Sequence, residues 1–353
     1  MAAARCLVLC LLAACEARGS DPGGDVELGE SYAESCTCTG GALSGDQLLL
    51  GVNRAVGLSS AFEPAVAAVP AVYGTGRLRP LALGYFMELA DAAADGPGRR
   101  IQVGSPYRSF CTQCALFASY AATFGDEEAN TFSARAGHSE HQLGTTMDIV
   151  DSGGFIGGPY DIPSAPADPA LYAWLDDNAW AFGYVNSYPP NDADGGDRFA
   201  SRTYAVTGYI PEPWHWRFVG KRTALVHRRL GERAGLRLST HELIAALGDP
   251  SHELAGEVAL VLAELGYAPA DLEAPHPDDA AALARASGGA PGQPAACSSQ
   301  TLGHPVASGS CVQVSYAGCG LDRCAWFRCD DGQWSCAAPE SCPGEEHPHA
   351  TCQ

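Results

Sequence analysis

Apolar residues recur at helical spacing in "LRPLALGYFMELADAAA". Pro80 stands where a first helical turn tolerates it and "GPG" ends the run, so the pattern predicts a helix. "RRIQVGS" then reads as a short strand, "SPYRSFCTQ" as a turn and "CALFASYAATFG" as a second helix. Beyond a Gly/Pro/Asp-rich loop from Ser152 to Pro169, "LYAWLDDNAWAFG" predicts another helix, and strand-like "YAVTGYI" runs into "PEPWHWRFVG". "STHELIAAL" carries a capping box, Ser239 with Glu242, and makes a plausible last helix. Helices alternating with short strands predict an α+β domain over residues 41–248. Residues 249–296 read as a helical extension, with "HELAGEVALVLAELG" as its amphipathic helix and "SGGAPGQPAA" as a flexible joint.

The two ends of the chain carry different signals. "MAAARCLVLCLLAAC" sets Arg5 before an apolar run too short to span a bilayer, the form of a signal peptide over residues 1–14. Its "LAAC" ending resembles a bacterial lipobox. That resemblance makes Cys15 the lipidated mature N-terminus and a membrane anchor without a transmembrane helix. Residues 15–40, rich in Gly, Glu and Ser, then form a flexible tether. Of the 15 cysteines, twelve follow Cys15: Cys36 and Cys38, Cys111 and Cys114, and eight between Cys297 and Cys352. An even count in an exported chain reads as disulfides, and residues 297–353 read as a small Cys-rich module with up to four bridges. Whether Cys111 pairs with Cys114, or both reach Cys36 and Cys38, stays open. The module can bind wall, glycan or a protein partner, or simply resist proteolysis.

Composition narrows the class. The formal net charge is −20, and no basic run is available to neutralise phosphates, which excludes nucleic acid as a partner. At 46% hydrophobic the chain has the composition of a globular protein.

The polar residues with chemistry in them form a set. A hydrolytic zinc site needs three His or carboxylate ligands, an open position, and a further carboxylate to move a proton. "GHSEHQLGTTMDIVD" holds His141 and Asp148 seven residues apart with Gly144 between, a spacing that suits a turn bringing both to one ion. "EPWH" sets Glu212 three residues before His215, with Pro213 restricting Glu212 to an extended conformation, so that one short segment can present a ligand and a base.

These segments resemble the zinc-dependent peptidoglycan carboxypeptidases of the VanY type. "SEHQLGTTMD" follows the family's S-x-H-x-x-G-x-A-x-D with Thr146 in place of Ala, and "EPWHWRFVG" matches its second pattern throughout. "SPYRSFCTQ" is similar to its S-G-Y-R-S-x-x-x-Q with Pro106 for Gly, and "FGYVNSYP" to its F-G-F-x-x-R-Y-P with Ser187 for Arg. Together with "LLLGVNRAVGLSSAFEP" the resemblance covers roughly residues 45–248.

The resemblance implies a small antiparallel sheet with flanking helices around a zinc cleft, the LAS/Hedgehog-like metallopeptidase fold. It implies Zn2+ held by His141, Asp148 and His215, Glu212 as general base, and Arg108 as the cation that polarises the scissile carbonyl. Ser139 and Gln113 fall at positions that contact the substrate peptide. Trp214 and Trp216 flank a ligand and can either shape the cleft or pack, whereas His138 and Asp151 are not ligand positions.

The expected function is D-alanyl-D-alanine carboxypeptidase activity on peptidoglycan stem peptides in the cell envelope. The alternatives are L,D-carboxypeptidase activity on tetrapeptide stems and a non-catalytic, lipid-anchored wall-binding protein.

Overall fold

The computed structural model describes residues 47–151, 168–191 and 197–287, and the backbone of strands at 154–155, 311–315, 324–330, 333–337 and 350–351. The expected signal peptide, Cys15, the tether, the linker after residue 287 and the bridges of the Cys-rich module lie outside the described residues. So do Cys36 and Cys38, the alternative partners of Cys111 and Cys114.

The chain enters through a two-stranded ribbon, β1 (Ala67–Ala68) with β2 (Arg77–Leu78), and continues into helix α1 (Pro80–Asp95). Pro80 occupies the first turn of α1, where its missing N–H costs nothing. Strand β3 (Ile101–Ser105) follows, then α2 (Phe110–Phe124), capped by the Ser109 hydroxyl accepting from the Thr112 N–H, and the short α3 (Asp126–Ala129). A one-turn 3-10 segment, Glu140–Leu143, leads into β4 (Thr146–Asp151), against which β5 (Gly154–Phe155) pairs. After α4 (Pro169–Asn178) come β6 (Tyr184–Asn186), α5 (Arg202–Thr207), β7 (His215–Phe218) and α6 (Lys221–Ala234). The last described helices are α7 (Thr240–Gly248), with the expected capping box at Ser239 and Glu242, α8 (Ala255–Leu265) and α9 (Asp279–Ser287).

One sequence expectation fails here. "YAVTGYI" is β-branched and aromatic enough to read as a strand, yet Tyr204–Thr207 are the end of helix α5. The local caps decide it: the Ser201 hydroxyl accepts from the Tyr204 N–H, and Gly208 takes the left-handed conformation that closes the last turn. The strand that follows begins only at His215.

The main sheet is antiparallel in the order β3-β4-β7-β6, with β5 added to β4. Its strands divide their residues by parity. Met147 and Ile149 of β4, and Trp216 and Phe218 of β7, enter the core with α1, where they meet Tyr85, Phe86 and Leu89. Tyr85 stacks on Phe218 with ring centroids 5.4 Å apart. The intervening residues, Asp148 of β4 and His215 and Arg217 of β7, therefore face away from that core. Burial of the large apolar face fixes the register, since a one-residue slip would send the polar set into the core.

Residues 255–287 are packed against the rest. Val258, Val261, Leu262 and Leu272 share an apolar cluster with Val226 and Leu230 of α6 and Leu243 of α7. Helix α9 lies so close on α1 that a Cβ built on Gly84 would stand 2.0 Å from the Ala282 carbonyl oxygen. Apart from these helices, the strands β8 (Cys311–Ser315), β9 (Cys324–Asp330), β10 (Gln333–Ala337) and β11 (Ala350–Thr351) form their own sheet, ordered β10-β9-β8-β11. Among the described residues no helix is long and apolar enough to cross a membrane.

Candidate metal centre

Asp148 and His215 are direct cross-strand partners in the β4–β7 pairing, so the sheet itself sets these two side chains side by side. His141 arrives from the 3-10 turn immediately before β4. Ser139 caps that turn, its hydroxyl accepting from the His141 N–H, and Gly144 ends it in the left-handed conformation, φ 71°. Gly144 thus reverses the chain between the two donors. Ligand atoms of His141, Asp148 and His215 all lie within 4.8 Å of one another.

The hydrogen bonds fix which imidazole nitrogen each histidine offers. His141 Nδ1 is 2.9 Å from the Pro106 carbonyl oxygen, which can only accept, so Nδ1 carries the proton and Nε2 the lone pair. His215 is turned the other way: its Nε2 is 3.1 Å from a Glu140 carboxylate oxygen, leaving Nδ1 for the site. His141 Nε2 and His215 Nδ1 each stand 3.4 Å from Asp148 Oδ1. Donors about 2.0–2.1 Å from a tetrahedral zinc lie roughly 3.3–3.4 Å apart, so the observed separations fit that ion. His141 Nε2 and Asp148 Oδ1 are buried without a hydrogen-bond partner, which a bound cation would remedy.

Glu212 completes the cluster with Oε2 3.2 Å from His215 Nδ1. The Glu212 N–H donates to the Tyr188 carbonyl, and the Asn186 side-chain amide donates to both the Glu212 and His215 carbonyls at 2.9 and 2.8 Å. Strand β6 and the Tyr188 segment therefore hold the EPWH turn by its backbone.

Burial raises the Glu212 carboxyl above its ordinary range, and the nearby charge of Asp148 adds to this, opposed by His215 and Arg108. Burial, with Arg108 beside it, lowers His141 to about 4, so this imidazole is neutral at pH 7, as a metal ligand must be. For Asp148, burial alone would raise the carboxyl, but the adjacent His141 and His215 bring it far below the usual carboxylate range. His215 behaves inversely: burial would lower it, but the adjacent carboxylates of Asp148, Glu140 and Glu212 push it well above the usual histidine range. A site that draws positive charge this strongly onto an imidazole suits a cation.

The remaining expected residues sit as follows. Arg108 donates its backbone N–H to the His141 carbonyl at 3.3 Å, and its Nε is buried without a hydrogen-bond partner. The Gln113 amide donates to the Ala134 carbonyl at 2.6 Å, while its Oε1 is buried without a hydrogen-bond partner. His138 contacts the Asn53 carbonyl at 2.8 Å, and Asp151 pairs with Arg99 at 2.7 Å. Trp216 belongs to the core and donates its indole N–H to the Pro213 carbonyl, and Trp214 packs beside that core. Ser187, where the family has arginine, is fully buried with its backbone N–H on the His215 carbonyl.

Sequence reading missed Glu140. It sits between Ser139 and His141, 1% exposed, and touches His215, Arg217 and Thr240. All three partners are distant in sequence, so no local pattern marks it.

Known proteins resemble parts of this chain. The family model described as VanY, D-alanyl-D-alanine carboxypeptidase, matches residues 76–221. A putative carboxypeptidase, YodJ, of Bacillus subtilis (strain 168) is 31% identical over 188 residues, covering 51% of this chain and 63% of the relative. A D-alanyl-D-alanine carboxypeptidase of Enterococcus faecalis (strain ATCC 700802 / V583) is 34% identical over 146 residues, covering 38% of this chain and 46% of the relative. The chain thus spans less than two thirds of either relative. A solved vancomycin-resistance D,D-pentapeptidase VanY, in complex with Zn(II), aligns with TM-score 0.42 and 25% identity, over 56% of this chain and 98% of that one. Residues 76–221 are thus similar to the VanY D-alanyl-D-alanine carboxypeptidase family.

Proposed function

We propose that the protein is a zinc-dependent D-alanyl-D-alanine carboxypeptidase that removes the terminal D-alanine from peptidoglycan stem peptides. The observation that carries this reading is the buried donor trio His141, Asp148 and His215 with the Glu212 carboxylate beside it. Two neutral imidazoles and one carboxylate would hold Zn2+ with net positive charge. Bound there, zinc supplies Lewis acidity to the carbonyl under attack and to the attacking water.

The protein's own groups do the rest. Glu212, raised by burial, takes the proton of the attacking water as its oxygen bonds to the carbonyl carbon. Arg108 faces the same centre and stabilises the oxyanion, a charge absent from the ground state. As the C–N bond breaks, Glu212 returns the proton to the departing amine of D-alanine. Asn186, Tyr188 and Pro213 hold Glu212 in place without entering the chemistry. Ser139 and Gln113 are the residues this reading gives to the substrate peptide.

The reading places the enzyme in the cell envelope, with stem peptides as partner and a lipid on Cys15 as its tie to the membrane. The Cys-rich module, with disulfides among its cysteines, is the candidate for wall or protein contact.

Mass spectrometry of defined penta- and tetrapeptide muropeptides, digested with and without chelator, tests the reading. The expected result is loss of one D-alanine from the pentapeptide only, abolished by chelator and by amidation of the terminal carboxylate. Trimming of the tetrapeptide instead would assign L,D specificity. Absence of any trimming by the zinc-loaded protein would favour a wall-binding role.

A further inference from the structure

Glu140 lies on the side of His215 away from the donor cluster. One carboxylate oxygen is 3.1 Å from His215 Nε2; the other accepts from Arg217 at 2.6 Å and from the Thr240 hydroxyl at 3.1 Å. Glu140 is 1% exposed, and Arg217 and Thr240 are fully buried. The Arg217 guanidinium in turn donates to the Leu48 and Leu50 carbonyls at 2.8 and 2.9 Å.

A chain of hydrogen bonds thus runs from a donor nitrogen of the proposed metal centre to two distant segments. One is the stretch at residues 48–50 and the other is the start of α7. Both lie outside residues 76–221, the part that matches the family model.

We infer that Glu140 is a positioning residue for the metal: it keeps the His215 proton on Nε2, so that Nδ1 faces Asp148 with its lone pair. The chemistry leaves little choice. An imidazole rotates about its Cβ–Cγ bond and can exchange the roles of its two nitrogens. A carboxylate facing Nε2 selects the tautomer with hydrogen there, and a carboxylate fixed by two further donors selects the ring orientation as well. Arg217 is what makes a buried, ionised Glu140 tolerable, and the Leu48 and Leu50 carbonyls occupy the guanidinium's outward donors.

His141 gets the same service from the Pro106 carbonyl, which no side-chain substitution can remove. His215 depends on a side chain, and through it on residues 48–50 and 240.

The inference rests on the zinc reading of His141, Asp148 and His215, and the test separates the two. Zinc affinity is measured by chelator competition on the folded full chain, well below its unfolding temperature, for the parent and for Glu140→Gln. The 15N shifts of the His215 ring are recorded on the same proteins loaded with zinc, where Nδ1 is free of hydrogen. The parent is expected to bind zinc. In the variant, affinity should fall about 10- to 100-fold, with His215 losing its single-tautomer signature.

Should Glu140→Gln fail to fold because Arg217 is left alone, the pair Glu140→Gln with Arg217→Met leaves no isolated buried charge. The same fall in affinity is expected of it. Zinc affinity within twofold of the parent, in either protein, overturns the role given to Glu140, since a purely structural residue would change the unfolding temperature and not the metal constant. A parent chain that takes up no zinc overturns the metal reading itself, and with it this inference.

Discussion

The two halves of the candidate centre are held by different kinds of bond. On the His141 side the ring is held by a backbone group, the Pro106 carbonyl on Nδ1, with the Arg108 N–H on the His141 carbonyl, the Ser139 cap and the left-handed turn at Gly144 setting the chain path. On the His215 side the ring is held through side chains, Glu140 with Arg217 and Thr240 behind it, while the His215 carbonyl accepts from the Asn186 amide and the Ser187 N–H. A backbone-held donor tolerates sequence change around it but not a change of chain path. A side-chain-held donor sits on a regular strand and is vulnerable to single substitutions.

The largest effect is expected at Glu212. Glu212→Gln keeps the shape of the side-chain-held half and its backbone bonds to Tyr188 and Asn186, while removing the base. Turnover should fall by about 100- to 10,000-fold with zinc content unchanged, measured by muropeptide release and metal analysis on the same sample. In the parent, Glu212 must be deprotonated to act. Because burial raises its pKa, activity should be lost on acidification at a pH above the ordinary glutamate value of about 4.3.

The backbone-held half is sharpened by Gly144→Ala. The residue would carry φ 71°, and its Cβ would stand 3.1–3.3 Å from Val66, Pro64 and Arg79. The left-handed conformation alone costs an alanine roughly 1–2 kcal/mol, so denaturant unfolding should show at least that loss, with zinc affinity weakened as His141 shifts.

The smallest effect belongs to Asp151→Asn, three residues beyond Asp148 on the same strand. Its half-exposed partner Arg99 keeps a second carboxylate, Asp168. Stability should change by no more than about 1 kcal/mol, with activity and zinc content unaltered.

How much of this was legible in the sequence follows the same division. His141, Asp148, Glu212 and His215 stood out as candidates because their spacing is local, a turn and a proline-restrained dipeptide, and the family resemblance supplied their roles. The parity of β4 and β7 came only with the structure, which puts Trp216 in the core with Met147, Ile149 and Phe218 where the sequence left it between cleft and packing. Glu140 was not, because its three partners lie 75, 77 and 100 residues away and nothing local distinguishes it from a solvated glutamate. The "YAVTGYI" segment misled for the opposite reason: its β-forming residues were read by propensity, while the decisive residues, Ser201 and Gly208, stood at its edges.

The bonds from Arg217 to Leu48 and Leu50 close loops of 169 and 167 residues, and that from Glu140 to Thr240 closes one of 100. Contacts of such range form late, after local helices and hairpins. Until they form, Arg217 and Glu140 lack the partners that make their burial tolerable, and His215 has no reason to hold one ring orientation. On the proposed reading, competence as a hydrolase is therefore a property of the finished fold: a partly folded molecule can carry His141, Asp148 and His215 and still lack a working centre.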